Sequence, residues 1–361
     1  MGWVQRWTGR GLAAIVALGA ARSGVAAQQR PDVVSGSVRT ADGRAKVPYA
    51  LVELDPSRGR QFTDDSGTFR FSAVPPGRYR LVARQVGFRP FDSTVVKVAG
   101  TPLAVAVELQ PLVVELATIT ITTTRECAAP GPPDSAAAPQ LAALLGQIRE
   151  NAERYAFLAD SYPFVFRLSR TFTDYDIAGR EVYASTDTIR YLSSSRVSYR
   201  PGQVLSMSRG AEHKLSPEIH LPTLSDFADS AFQANHCFYY AGTVDRDGGT
   251  YVRFDFVPSQ GLRTPDIEGE VYLDALSYQI RTTTIRLTRV ARAMPGLLST
   301  SSTITFAELY PNILILRRME GELVPEPHSD VRSPVVRSTE LRQLLDVHFV
   351  RPLPGMRSTE H

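Results

Sequence analysis

Cysteine, lysine and catalytic motifs are all scarce in this chain of 361 residues, and each shortage narrows its possible functions. Two cysteines are too few for a cysteine-rich metal site. Lysine is so rare that arginine supplies nearly all of the positive charge, and 40 cations against 37 anions leave a formal net charge of +3. This small, scattered excess predicts no surface for nucleic acid.

No apolar run reaches the roughly 20 residues that a membrane-spanning helix needs. An apolar stretch at residues 11–21 follows Arg6 and Arg10 and precedes the small residues Val-Ala-Ala at 25–27. This order predicts a secretory signal peptide over residues 1–27, with a retained membrane anchor as the alternative. We therefore expect export to the periplasm, the outer-membrane periphery or the cell exterior, with no transmembrane segment after cleavage.

The two cysteines, Cys127 and Cys237, enclose a loop of about 110 residues. In an oxidising compartment such a pair predicts one disulfide, which would stabilise the fold by about 2–4 kcal/mol. Two free thiols are the alternative, because the sequence gives no distance between the two Cα atoms.

Alternation of apolar and polar residues dominates the region between residues 35 and 98. It is regular in the runs 50–54, 69–71 and 79–83, which is typical of half-buried strands. Asp-Ser-Gly and Pro-Pro-Gly separate these runs and favour turns. The pattern predicts a small β-sandwich and no catalytic site.

Five motifs in this region resemble, in their order, the carboxypeptidase regulatory-like domain, a transthyretin-like Greek-key sandwich. They are Gly36-Ser-Val, Ala50-Leu-Val-Glu-Leu, Thr63-Asp-Asp-Ser-Gly-Thr-Phe-Arg-Phe, Pro76-Gly-Arg-Tyr and Gly87-Phe. The resemblance implies a non-catalytic module over residues 31–110. The wider structural class includes carbohydrate-binding domains, so the resemblance also makes carbohydrate binding by this sandwich an alternative function.

A second domain is predicted after a strand and a Pro/Ala-rich linker at residues 111–137. Helical spacing of leucines predicts an amphipathic helix over residues 140–158, and residues 223–234 predict one short helix. Period-2 alternation predicts a strand-like segment at 103–124 and, later, strands at 269–273, 277–287, 302–309, 313–323 and 331–350. We expect a mainly β protein whose α+β domain spans residues 138–350, with a large antiparallel, curved sheet, one covering helix and a flexible tail at 351–361.

The hairpin at residues 266–280 resembles one in outer-membrane lipoprotein carriers, whose half-barrel holds acyl chains. The resemblance implies a curved sheet with an apolar concave face. We expect that face to be filled by its own side chains and the covering helix. A concave face left open to a lipid is the alternative.

The chain contains no motif of a zinc carboxypeptidase, a serine hydrolase, a metalloprotease or a phosphate-binding loop. We therefore expect a non-enzymatic binding or scaffolding protein without cofactor or metal, whose partner is a polysaccharide, a lipid or an outer-membrane protein. The alternative is an enzyme that holds His236 within hydrogen-bond reach of Asp226 or Asp229 in an open cleft. The weak site candidates are His213, Glu218, His220, Asp226, Asp229 and His236.

Overall fold

The computed structural model describes residues 32–56, 58–114, 126–195, 199–209, 215–219, 223–326 and 335–356. The described chain is mainly β, with an N-terminal sandwich and a large antiparallel sheet accompanied by a helix, which confirms the predicted fold class. The predicted signal peptide lies outside the described residues, as do residues 115–125 of the strand-like segment.

Seven strands build the N-terminal sandwich from two sheets, of order β4-β1-β7 and β3-β2-β5-β6. Strands β1 and β7 are parallel, and the other pairs are antiparallel. The inward positions of the predicted alternation fill a closed apolar core between the sheets. The strands are β1 (Val33–Thr40), β2 (Leu51–Asp55), β3 (Arg60–Phe62), β4 (Thr68–Ser72), β5 (Gly77–Arg84), β6 (Phe91–Lys97) and β7 (Leu103–Leu109).

Gly36 shows why the first sandwich motif contains glycine. A Cβ atom at this position would lie 2.0 Å from the carbonyl oxygen of Val105 and 2.7 Å from the ring of Phe69. Any side chain would therefore push strand β1 away from both of its neighbours.

The second domain contains a nine-stranded antiparallel sheet of order β12-β13-β14-β15-β16-β17-β18-β8-β9. Its strands are β8 (Phe164–Tyr175), β9 (Glu181–Leu192), β12 (His236–Arg246), β13 (Gly249–Pro258), β14 (Ile267–Asp274), β15 (Ile280–Leu287), β16 (Leu297–Tyr310), β17 (Ile313–Pro325) and β18 (Arg337–Phe349). Strands β10 (Leu205–Arg209) and β11 (Leu215–Ile219) form a separate hairpin. Helices α1 (Pro139–Ser161), α2 (Ser230–Asn235) and α3 (Val290–Ala293) complete the described domain with a 3-10 helix (Leu224–Ala228).

Helix α1 covers part of this sheet. Leu144, Leu145 and Ile148 share one continuous apolar core with residues of strands β12 to β17. Asn151 fixes the helix to the sheet, because its amide nitrogen donates to the carbonyl oxygen of Tyr278 at 3.0 Å and its Oδ1 accepts from the backbone N–H of Ile280 at 3.1 Å.

An adjacent face of α1 contacts the sandwich. The backbone N–H of Gly87 donates to Oε1 of Gln147 at 2.7 Å. The buried guanidinium of Arg154 donates to the carbonyl oxygens of Tyr49 at 2.7 Å and Asn312 at 3.2 Å. Burial lowers the pKa of Arg154 to about 10, although the nearby Glu150 acts in the opposite direction. Helix α1 therefore joins the sandwich to the large sheet.

Two predicted elements differ from the structure. Residues 223–234 form the 3-10 helix and α2 instead of one helix, because Asp229 ends the first with an extended backbone and its side chain caps the second. The strand-like segment from residue 103 continues in strand only to Leu109 within the described chain, and it bridges from Pro111 to Phe88.

The predicted disulfide is present. Cys127 and Cys237 are bonded, with their Cα atoms 5.5 Å apart. The bond attaches the segment before α1 to the edge strand β12.

Candidate ligand cavity

The large sheet encloses a cavity of about 560 Å³ where α1 does not cover it. Strands β8, β16, β17 and β18 form its floor, the ends of β9 and β16 lie at its sides, and Thr223, Leu224 and Met294 lie on the opposite wall. Tyr155 of α1 lines the end nearest the packed core. The expectation of a face filled completely by its own side chains and α1 is therefore not met at this cavity, although Phe157 and Leu158 of α1 pack with residues of β8, β17 and β18 nearby.

Apolar side chains form one continuous wall of the cavity. Strand register places Phe166 and Leu168 of β8 beside Tyr191 and Ile189 of β9, and the rings of Phe166 and Tyr191 stack at 5.5 Å. The other apolar lining residues are Phe172, Ile304, Phe306, Leu316, Met319 and Leu323. The alternation predicted for these strands gives the wall its apolar character.

A row of charged side chains crosses the same face of the sheet. Arg170 on β8 forms an ion pair with Asp187 on β9, and its Nε donates to Asp187 Oδ1 at 2.8 Å. Their hydrogen bond raises the pKa of Arg170 and lowers the pKa of Asp187. Arg342 on β18 pairs with Glu340 at 2.9 Å. The row carries charges of both signs in pairs, so it presents no net charge to a ligand.

Two small residues leave room at the centre of the floor. Gly321 on β17 lies opposite Ser302 on β16 in the strand register. A Cβ atom at Gly321 would meet nothing closer than 3.7 Å, so the space above it belongs to the cavity. Ser302 is buried, and its Oγ has no hydrogen-bond partner among the described residues.

His236 does not line this cavity and lies in the packed core. Its ring is fully buried, with Nδ1 2.8 Å from the carbonyl oxygen of Phe232 and Nε2 3.1 Å from that of Ile267. The ring also stacks on Phe232 at 4.1 Å, and its nearest carboxylate is that of Asp266, at 3.9 Å. Burial lowers the pKa of His236, while the two carbonyl groups and Asp266 act in the opposite direction.

The two predicted aspartates have other partners. Asp226 accepts hydrogen bonds from the backbone of Thr223 at 2.7 Å and of Tyr199 at 3.2 Å. Asp229 caps α2 by accepting from the backbone N–H groups of Ala231 and Phe232. The structure therefore gives both carboxylates local structural roles, and it does not join them to His236 in an open cleft.

The structure provides no side-chain geometry for the three remaining site candidates. His213 and His220 lie outside the described residues, and Glu218 lies on strand β11 without a described side chain. Within the described ranges, no group of three or more metal-ligating side chains lies close enough together to hold an ion. None of the described helices is long and apolar enough to cross a membrane.

Sequence reasoning missed Asp266, which organises the core around His236. It accepts from the Tyr199 hydroxyl at 2.8 Å and from the backbone N–H of Gly202 at 2.9 Å. Burial and the neighbouring carboxylate raise the pKa of Tyr199. No local motif marks Asp266, because its partners come from segments more than sixty residues away.

The sandwich matches a known family. Residues 33–110 match the family described as carboxypeptidase regulatory-like domain. This stretch is a carboxypeptidase regulatory-like domain. The predicted resemblance is confirmed, and the match ends at the strand that closes the sandwich. No curated protein matches the chain.

Solved structures similar to this chain include three bacterial proteins. A LolA superfamily protein from Nitrosomonas europaea has 12% identity and a TM-score of 0.30, and the alignment covers 58% of this chain and 94% of that one. A DUF1329 family protein from Desulfovibrio piger has 11% identity, a TM-score of 0.31 and coverages of 59% and 95%. A domain described as an outer membrane lipoprotein-sorting protein, from Vibrio parahaemolyticus, has 13% identity, a TM-score of 0.32 and coverages of 59% and 93%.

Proposed function

We propose that this chain is an exported binding protein of the bacterial envelope, and that its second domain holds the apolar chain of one amphiphilic molecule. In this proposal the regulatory-like domain is a non-catalytic module that helix α1 holds against the ligand-binding domain. The proposal assigns the molecule binding and not catalysis.

The cavity is the observation that carries this proposal. Its volume of about 560 Å³ falls within the range of about 300–1,000 Å³ that is usual for small-molecule sites. An apolar wall of this extent costs free energy when it faces water, at roughly 25 cal/mol per Å². An alkyl chain lying along the apolar part of the lining would recover that free energy.

The arrangement of polar groups favours a ligand with one apolar and one polar end. Arg170 and Arg342 already have carboxylate partners in the same sheet, so neither supplies an unpaired charge at the floor. The polar end of the ligand is therefore expected to remain near solvent, and the hydrocarbon chain to lie along the floor.

A cavity-filling variant tests the proposal. The protein comprising residues 28–361 is titrated with a fluorescent hexadecanoic acid, and Gly321→Phe is compared with Glu320→Phe. The adjacent positions point to opposite faces of β17, so only the first ring enters the cavity. We expect Gly321→Phe to weaken binding by about tenfold or more, equivalent to about 1.4 kcal/mol, and Glu320→Phe to bind as the parent does.

Equal binding by both variants would overturn the proposal, as would a parent protein that does not bind the probe. Circular dichroism of both variants establishes that each is folded before the titration is read.

A further inference from the structure

Strand β9 leaves one side of the large sheet unpaired. It is the last strand in the sheet order and, within the described chain, pairs with β8 alone. It has 12 residues, and all except Ile189 are exposed. A long exposed edge offers a row of backbone N–H and C=O groups to another strand. Natural proteins usually protect such an edge or use it for assembly.

The apolar residues of β9 are placed symmetrically about Asp187. Val182 and Tyr183 lie five and four residues before it, and Tyr191 and Leu192 lie four and five residues after it. All four side chains are exposed, at 46% and 54% before Asp187 and at 39% and 38% after it. In a monomer, where this edge meets only water, the symmetric placement of these side chains would contribute nothing to stability.

We propose that β9 pairs antiparallel with β9 of a second copy of this chain, around a two-fold axis that passes through Asp187. In this register residues whose numbers sum to twice 187 lie opposite each other. Tyr183 then faces the partner's Tyr191, and Leu192 faces the partner's Val182. Aromatic pairs opposite each other across antiparallel strands are among the pairs that stabilise sheets, by about 0.2–1 kcal/mol each.

The centre of the proposed interface is compatible with this register. Thr186 faces the partner's Thr188, and the two Asp187 side chains meet near the axis. Like charges directly opposite each other are unfavourable, but each Asp187 is already paired with Arg170 of its own chain. Between the centre of the strand and Tyr183, Ala184 faces the partner's Arg190, and its small side chain leaves space for the guanidinium.

One end of β9 limits the length of the pairing. The register between β8 and β9 shifts by one residue between Asp174 and Tyr175, which places a bulge near Val182. A bulge interrupts a regular ladder. The continuous pairing therefore runs from Tyr183 to Tyr191, and the apolar contact between Val182 and Leu192 closes its ends.

This assembly also affects the cavity. Tyr191 lines the cavity and lies opposite Phe166 of the neighbouring strand. In the proposed dimer the partner's Tyr183 lies beside Tyr191, at the rim. Joining the two edges would place the two cavities on the same face of one continuous sheet.

Two variants that place opposite charges at Ala184 test the register. Sedimentation equilibrium of residues 28–361 is expected to show a dimer. Because the interface has two-fold symmetry, Ala184→Lys places a lysine opposite the partner's Arg190 at two positions. We expect this repulsion to raise the dimer dissociation constant at least about tenfold, equivalent to about 1.4 kcal/mol. Ala184→Glu is the matched control and should leave the dimer as tight or tighter. The double variant Ala184→Lys with Arg190→Glu should restore it.

A parent protein that remains monomeric would overturn this inference. Equal weakening by Ala184→Lys and Ala184→Glu would also overturn it, because only the proposed register distinguishes their charges. Binding of hexadecanoic acid is measured on the same samples. A monomer that binds the probe would contradict the interface alone, and a dimer that does not bind it would contradict the proposed function alone.

Discussion

The two halves of the large sheet are built from similar strands but differ in what packs against them. In the half formed by β12 to β15, apolar residues meet helix α1 and the short helices, and Phe254 and Phe256 of β13 are fully buried. In the half formed by β16 to β18, β8 and β9, the last turns of α1 pack against part of the sheet through Phe157 and Leu158, and other apolar side chains border a cavity. We call these the covered half and the open half.

The difference between the halves shows that an alternating strand pattern does not decide whether a sheet face is filled. The pattern of inward residues on β14, in the covered half, is similar to that on β16, which borders the cavity. What differs is that residues 300–302, Ile304 and Phe306 of β16 also border the cavity, whereas the residues of β14 do not line it. Helix α1 has 23 residues and is anchored at both sides, to the sheet through Asn151 and to the sandwich through Arg154.

Truncating one aromatic residue in each half should give the largest contrast. Phe254 is fully buried in the covered half, so Phe254→Ala is expected to lower the free energy of unfolding by about 3–5 kcal/mol. Phe172 is half-buried beside the cavity, and Phe172→Ala should cost less than about 1.5 kcal/mol because no closed void is created. Urea denaturation measures both. Similar losses would contradict the division into two halves.

Buried polar side chains give a second, smaller contrast. Asn151 bonds two backbone groups of the covered half, so Asn151→Ala leaves both unpaired and should cost about 1–3 kcal/mol. Ser302 lies at the cavity floor and its Oγ has no partner in the described structure, so Ser302→Ala should change stability by less than about 0.5 kcal/mol. If Ser302→Ala proved as damaging as Asn151→Ala, the floor of the cavity would be packed more tightly than the structure indicates.

The smallest expected effect is the contribution of His236 to the pH dependence of stability. It reports how well the covered half is shielded from water. Burial lowers its pKa below the value of about 6.5 expected in the unfolded chain. Below about pH 6.5 the unfolded state therefore binds more protons, and stability falls as pH falls, by at most about 1.4 kcal/mol per pH unit. The His236→Gln variant should lose this part of the slope, whereas an unchanged slope would show that His236 does not titrate in this way.

Much of the fold could be predicted from sequence because it depends on local periodicity. Five motifs in order, from Gly36 to Phe88, identified the sandwich, and helix α1 begins and ends within three residues of the predicted bounds. The disulfide followed from the cysteine count and the predicted export. The split at Asp229 was missed because two short helices separated by one capping residue share the pattern of one helix.

The cavity could not be predicted because it depends on contacts distant in sequence. Ile304 and Met319 alternate as residues of any buried strand do, and the space beside them depends on how α1, more than 140 residues earlier in the chain, packs into the same core. Asp266 beside His236 was missed for the same reason, since its partner Tyr199 comes from another part of the chain. The alternation within a strand predicts which residues share a face of the sheet. Only the assembled sheet shows whether that face is covered.

The most direct test of the central claim is a methyl NMR titration of the isotope-labelled protein with hexadecanoic acid. The open half is expected to respond, with shifts at Ile304, Leu316 and Met319, whose side chains line the cavity. The covered half should not respond at Ile267 or Leu273, which are fully buried in the packed core. Shifts confined to the covered half or to the sandwich, or no shifts at saturating ligand, would contradict a ligand site in the open half.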